Sequence, residues 1–199
     1  TRRSSDLETS TDSVELVGDE AVFNLARAVL FAALVGAFAF VSFPNPLSPA
    51  PITLQVLGVF LAGIMLGPLW GAAALLLYLA AGALGAPVFA GGASGLAVLL
   101  AEPTLGYLWS YPVAAAVVGL VVHRGSLGDY RDTSVPVLVA AMVLGTVVIY
   151  ALGVGGLMLI LGLGPVEAFM AGAAAFIPAE AFKIAAAVGI VRSDAIAAN

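Results

Sequence analysis

From about residue 22 onward the chain alternates long apolar runs with short breaks of proline, glycine and charge. The first run covers 22–43, VFNLARAVLFAALVGAFAFVSF, and stops at PNPLSPAP, too rich in proline to continue a helix. The second covers 52–84. As one straight helix it would reach roughly 50 Å, against roughly 30 Å of membrane hydrocarbon. Gly67-Pro68 falls in its middle, so the pattern predicts a hairpin of helices 52–67 and 70–84. Residues 85–104, GAPVFAGGASGLAVLLAEPT, are apolar yet carry four glycines and two prolines. Non-helical backbone cannot face lipid, because its N–H and C=O groups would lack partners. This segment is therefore expected to pack on protein or line a cavity, with a short re-entrant helix over SGLAVLLA. A span at 105–122 follows, then the polar loop HRGSLGDYRDTSVP and a span at 136–161. The 162–177 connection reads as a short interfacial helix. Pro178 suits the first turn of a last helix over 178–192.

Composition fixes the solvent. Hydrophobic residues make up 62% of the 199, charged residues 10%, and the mean hydropathy is +1.12. Soluble domains carry about 25% charged residues. The expectation is an all-α integral membrane protein of six transmembrane helices. The net charge of −5 misleads, because Asp6, Glu8, Asp12, Glu15, Asp19 and Glu20 crowd the first twenty residues. Residues 1–21 thus read as an acidic, disordered tail and 22–199 as the membrane domain. The order of TRRSS, acids and then an apolar run does not fit a cleaved signal peptide. Arg2, Arg3, Arg27, Arg124, Arg131 and Arg192 all fall on one predicted side, and no cation falls in the opposite loops. The positive-inside rule then puts both termini in the cytoplasm of a multi-pass protein of the cell membrane. The proline loop 43–51, the glycine-rich 85–104 and the 162–177 connection face outward together.

Several chemistries drop out. The chain has no cysteine and one histidine, His123, so thiolate catalysis and a histidine-paired metal site are excluded. No Ser-His arrangement is visible, and no cofactor is expected. The sole lysine, Lys183, precedes Ile184, so no phosphate-binding Gly-Lys-Ser/Thr loop exists and any ATPase must be another protein.

One feature stands against the apolar background. In FIPAEAFKIAAAVGI, Glu180 and Lys183 are spaced i, i+3 and share a helix face on the outward half. Each charge costs roughly 2.5–3.5 kcal/mol in a membrane helix, so such residues face the protein interior and mark a functional path. A purely structural ion pair is the alternative. The backbone near Gly91, Gly92 and Ser94 lies on the same side and offers N–H donors. Together these describe an outward pocket for a small ligand with mixed polar and apolar groups. Tyr107 and Tyr111 share a helical face near it, with Trp109 close by, their alternative being the aromatic belt of the membrane interface. Gln55 is a further candidate, its alternative being a helix–helix hydrogen bond.

From Pro49 through Tyr111 the chain resembles the BioY family, the biotin-binding S components of energy-coupling-factor vitamin transporters. The resemblance rests on proline followed by ITLQ, on LAG…LGP..GA, on LY…G..G.PVFAGG..G and on PT.GYL. FIPAEAFKIA resembles the family's last-helix signature, proline-Gly-Asp-x-x-Lys, with Ala179 in place of Gly and Glu180 in place of Asp. The resemblance implies six helices, biotin near the outer face, and Glu180 and Lys183 in the ligand site. Biotin's ureido ring has two N–H donors and one C=O acceptor, which suit a carboxylate and an ammonium. Its carboxylate would meet N–H groups near Gly91-Gly92, Ser94, the Tyr107 hydroxyl, Lys183, or water. The resemblance also implies a transmembrane coupling subunit and two ATPase subunits as partners, the bilayer as surroundings, and no role for nucleic acid. Ala28, Ala32 and Gly36 recur every four residues, and the resemblance assigns Ala28 and Ala32 to docking on the coupling subunit. Internal helix packing is the alternative. Another small vitamin is the alternative ligand.

Overall fold

A computed structural model describes residues 18–123 and 129–193. Most of the tail, and Arg2, Arg3 and Arg124, lie outside these. The elements run α1 (Asp19–Ala39), β1 (Ser42–Phe43), β2 (Ile52–Thr53), α2 (Gln55–Ala83), α3 (Leu96–Leu100), α4 (Leu105–His123), α5 (Val135–Leu161), α6 (Pro165–Gly172) and α7 (Ile177–Val191). Five stretches among the described residues are long and apolar enough to cross a membrane, with 165–191 counted as one stretch.

The break at Gly67-Pro68 is sharp. Gly67 takes φ 77°, ψ −178° inside α2, a left-handed φ that glycine tolerates best. The two halves of α2 lie side by side. The Gln55 side-chain amide donates to the Tyr78 hydroxyl, whereas a straight helix would separate these residues by roughly 34 Å. Gly71 sits against the first half, where a Cβ would come 3.0 Å from the Ala62 carbonyl oxygen.

The first half ends with bare carbonyls. The Arg27 guanidinium donates to the Met65 carbonyl at 2.9 Å, and His123 Nε2 lies 3.0 Å from that of Ile64. Basic groups at a helix C-terminus satisfy orphan acceptors and oppose the dipole. At the same end Thr133 donates to the Val122 carbonyl, and Arg192 donates to the carbonyls of Arg131 and Thr133. Arg27, Arg131 and Arg192 therefore gather at the end of the molecule away from Gln55.

The start of α2 differs from expectation. Residues 52–53 are not helical but pair antiparallel with 42–43, Ser42 opposite Thr53 and Phe43 opposite Ile52. The proline-rich stretch is the connection of this small hairpin, and it ends α1 at Ala39 rather than 43. Two-residue strands carry too little periodicity to be read in advance. At the other end α1 begins at Asp19, so the helix includes the last acids of the predicted tail.

Glycines set the close crossings. A Cβ on Gly106 of α4 would overlap the Leu152 carbonyl oxygen of α5, and small residues at such contacts let membrane helices approach. The small-residue face of α1 serves the same purpose. Ala28 is wholly buried and Ala32 half-buried, while a Cβ on Gly36 would meet Val88 at 3.0 Å. Ala28 packs within the chain, the alternative given for this face, while Ala32 keeps part of its surface exposed.

Candidate functional site

The last helix brings its charged pair inside. Pro178 sits in the first turn of α7, and Glu180 and Lys183 follow over the next turn, 4% and 3% exposed. Lys183 Nζ donates to Glu180 Oε1 at 2.6 Å. The other carboxylate oxygen, Oε2, is buried without a hydrogen-bond partner.

Both residues line a cavity of about 310 Å³, within the size range of small-molecule sites, roughly 300–1,000 Å³. Its walls come from the β2–α2 junction, the 89–98 loop, the start of α4, the middle of α5 and the start of α7. The lining is mainly apolar, with Phe89, Leu108, Ile149 and Phe176 among its members, and Glu102 is an exposed carboxylate at the rim.

Most of the remaining polar side chains are held in place. Tyr107 threads between helices: a Cβ on Gly153 would overlap its ring, and its hydroxyl donates to the Gly172 carbonyl at 2.6 Å. Gln55 accepts from the Thr53 hydroxyl at 2.9 Å while its amide donates to Tyr78. Tyr78 in turn contacts the rings of Phe89 and Tyr111. Phe89 itself fits over Gly82, where any Cβ would overlap its ring.

The predicted residues thus divide. Glu180, Lys183, Tyr107, Tyr111 and Gln55 converge on the cavity. Gly91, Gly92 and Ser94 belong to the neighbouring loop, but Ala90 and Ala93 form its wall there. Both glycines adopt positive φ, 68° and 81°, which shapes this loop. Trp109 turns away, 45% exposed, and donates to the Leu99 carbonyl at 2.9 Å. Sequence reasoning missed Thr53, Tyr150 and Phe176. Tyr150 carried a usable signal, because a tyrosine in mid-span, away from the interfacial belt, needs a partner for its hydroxyl. Among the described residues no group of three or more His, Cys, Asp or Glu could hold a metal ion.

A helical membrane bundle enclosing a small pocket with one buried ion pair defines a ligand-binding membrane protein. Its relatives narrow that class. The BioY family model matches residues 9–198, and the chain belongs to the BioY family. It is 40% identical over 176 residues to a protein of Rhizobium etli named biotin transporter BioY, covering 83% of this chain and 90% of that one. The corresponding protein of Rhodobacter capsulatus is 40% identical over 177 residues, 81% of this chain and 87% of that one. The fold resembles a crystal structure of the S-component for biotin from an ECF-type ABC transporter, with a TM-score of 0.79 at 24% identity over 89% of this chain and 93% of that one. The chain is a multi-pass membrane protein of a transporter family.

Proposed function

We propose that this chain is the biotin-capturing S component of an energy-coupling-factor transporter, a binding and transport subunit rather than an enzyme. The observation that carries the reading is the buried Glu180–Lys183 pair facing an otherwise apolar cavity, in a chain 40% identical to proteins named biotin transporters. Glu180 Oε2 accepts a ureido N–H. Lys183 has three donors and spends one on Glu180, which leaves donors for the ureido oxygen. Tyr107 and Gln55 are fixed walls, and the 91–94 loop offers the N–H groups of Gly91 and Ser94 near the tail of the ligand, that of Gly92 being spent on the Phe89 carbonyl.

The same reading counts six crossings, with the two halves of α2 taken separately, and puts both termini in the cytoplasm. The gathering of Arg27, Arg131 and Arg192 at the end away from the cavity supports this side. The acidic stretch ahead of α1 is the cytoplasmic tail, and the chain from α1 onward is the membrane domain. Inward release is driven by a transmembrane coupling subunit and two ATPases, against which the whole S component tilts. The small-residue face of α1, where Ala32 stays half-exposed beside the buried Ala28, is the contact with the coupling subunit.

Calorimetric titration of biotin into the detergent-solubilised chain tests the core of this. Saturable binding near one per chain is expected, with thiamine and riboflavin silent. A folded sample that ignores biotin overturns the reading. For topology, cysteines at Glu167 and Asp129 report the two sides to an impermeant maleimide in intact cells. Glu167→Cys labels and Asp129→Cys does not; the reverse pattern inverts the orientation.

A further inference from the structure

Two buried side-chain oxygens in the wall of the cavity have no hydrogen-bond partner, Glu180 Oε2 and the Tyr150 hydroxyl. Leaving a buried polar group unpaired is strongly unfavourable, and a native structure keeps very few such groups. Two polar neighbours in the same wall are satisfied: Tyr107 by the Gly172 carbonyl, Gln55 by Thr53 and Tyr78. Tyr150 also sits close to the charged pair. Its ring centroid is 6.4 Å from that of Phe176, and Phe176 caps α7 one turn ahead of Glu180.

We propose that Tyr150 is a specificity-determining residue whose hydroxyl hydrogen-bonds the ureido head of the ligand beside Glu180. This rests on the biotin reading above. With a carboxylate oxygen taking one N–H, a phenol next to it meets either the ureido oxygen, as donor, or the second N–H, as acceptor. The exposed Glu102 marks the mouth of the cavity, so the anionic tail of the ligand lies toward that end and away from Tyr150.

The test is Tyr150→Phe in the full chain, titrated with biotin, with desthiobiotin and with biotin amide. The lost hydroxyl makes no bond within the protein, so the variant folds, and its ligand-free melting temperature stays at or above that of the parent. Affinity for all three ligands is expected to fall about tenfold, because all three keep the ureido group. Unchanged affinity overturns the assignment while leaving the biotin reading intact. A loss confined to biotin and absent with its amide also overturns it, by moving the contact to the carboxylate. If the parent chain itself ignores biotin, the functional reading falls and this inference falls with it.

Discussion

Replacing Lys183 separates the structural from the ligand-binding role of the buried pair. Its side chain is 4% exposed and that of Glu180 6%, and they touch at 2.6 Å. Lys183→Met strands a carboxylate whose Oε2 already lacks a partner. Breaking a buried pair from one side costs about 3–5 kcal/mol of stability. The double variant Glu180→Leu/Lys183→Met removes both charges, and apolar replacement of a whole buried pair is often neutral or stabilising. Thermal unfolding in detergent without ligand should therefore rank the double variant near the parent and the single variant well below. Binding should follow a different order. Each hydrogen bond to a charged group contributes about 1.5–3 kcal/mol, so losing either member weakens biotin by at least about tenfold. Losing both should weaken it further, however stable the double variant is. A stable double variant with unchanged biotin affinity would refute the idea that the pair is retained for the ligand.

Other perturbations probe the frame around the site. Gly106→Ala drives a Cβ into the Leu152 carbonyl and should cost about 1–3 kcal/mol or more in unfolding assays, whereas Gly155→Ala, with nothing within 4 Å, should stay near neutral. Arg27→Ala uncovers the Met65 carbonyl at the end of the first half of α2 and should lower stability by about 1 kcal/mol with biotin affinity unchanged. Glu102→Gln removes a rim carboxylate; stopped-flow binding of anionic biotin should quicken at low salt and lose the gain at high salt, and a salt-independent change would point to packing instead.

Much of this was legible from residue order. The Gly67-Pro68 break falls inside α2 as expected, and the spans at 105–122 and 136–161 and the last helix lie within a residue or two of α4, α5 and α7, because apolar runs and Pro/Gly punctuation are strong local signals. The charged pair was legible for a different reason: in an oily helix a lone acid and base stand out. What stayed hidden depends on partners distant in sequence. The pairing of 42–43 with 52–53 is one case. Ala28 is another, since four-residue spacing marks a close-packing face but does not say whether the chain or a partner fills it. The loop around Gly91 borders the cavity through Ala90 and Ala93, yet side-chain direction in a non-helical stretch has no period from which to read it.

Carbonyl groups at one end of the molecule and side-chain oxygens in the cavity find their partners differently. At the end away from the cavity, the carbonyls freed by the break in α2 meet Arg27 and His123, and those beyond α4 meet Thr133 and Arg192. These carbonyls are matched by the chain itself and serve the fold. In the cavity, Gln55 and Tyr107 are likewise matched, while Glu180 Oε2 and the Tyr150 hydroxyl are not. Since most buried polar atoms in folded proteins find a partner, an unmatched pair lining one small cavity singles out the atoms a ligand must satisfy. On the proposal above, Glu180 and Tyr150 contact the ligand, and Gln55 and Tyr107 support them. Substituting Gln55 or Tyr107 should therefore reduce stability and affinity together, while Tyr150→Phe should reduce affinity alone.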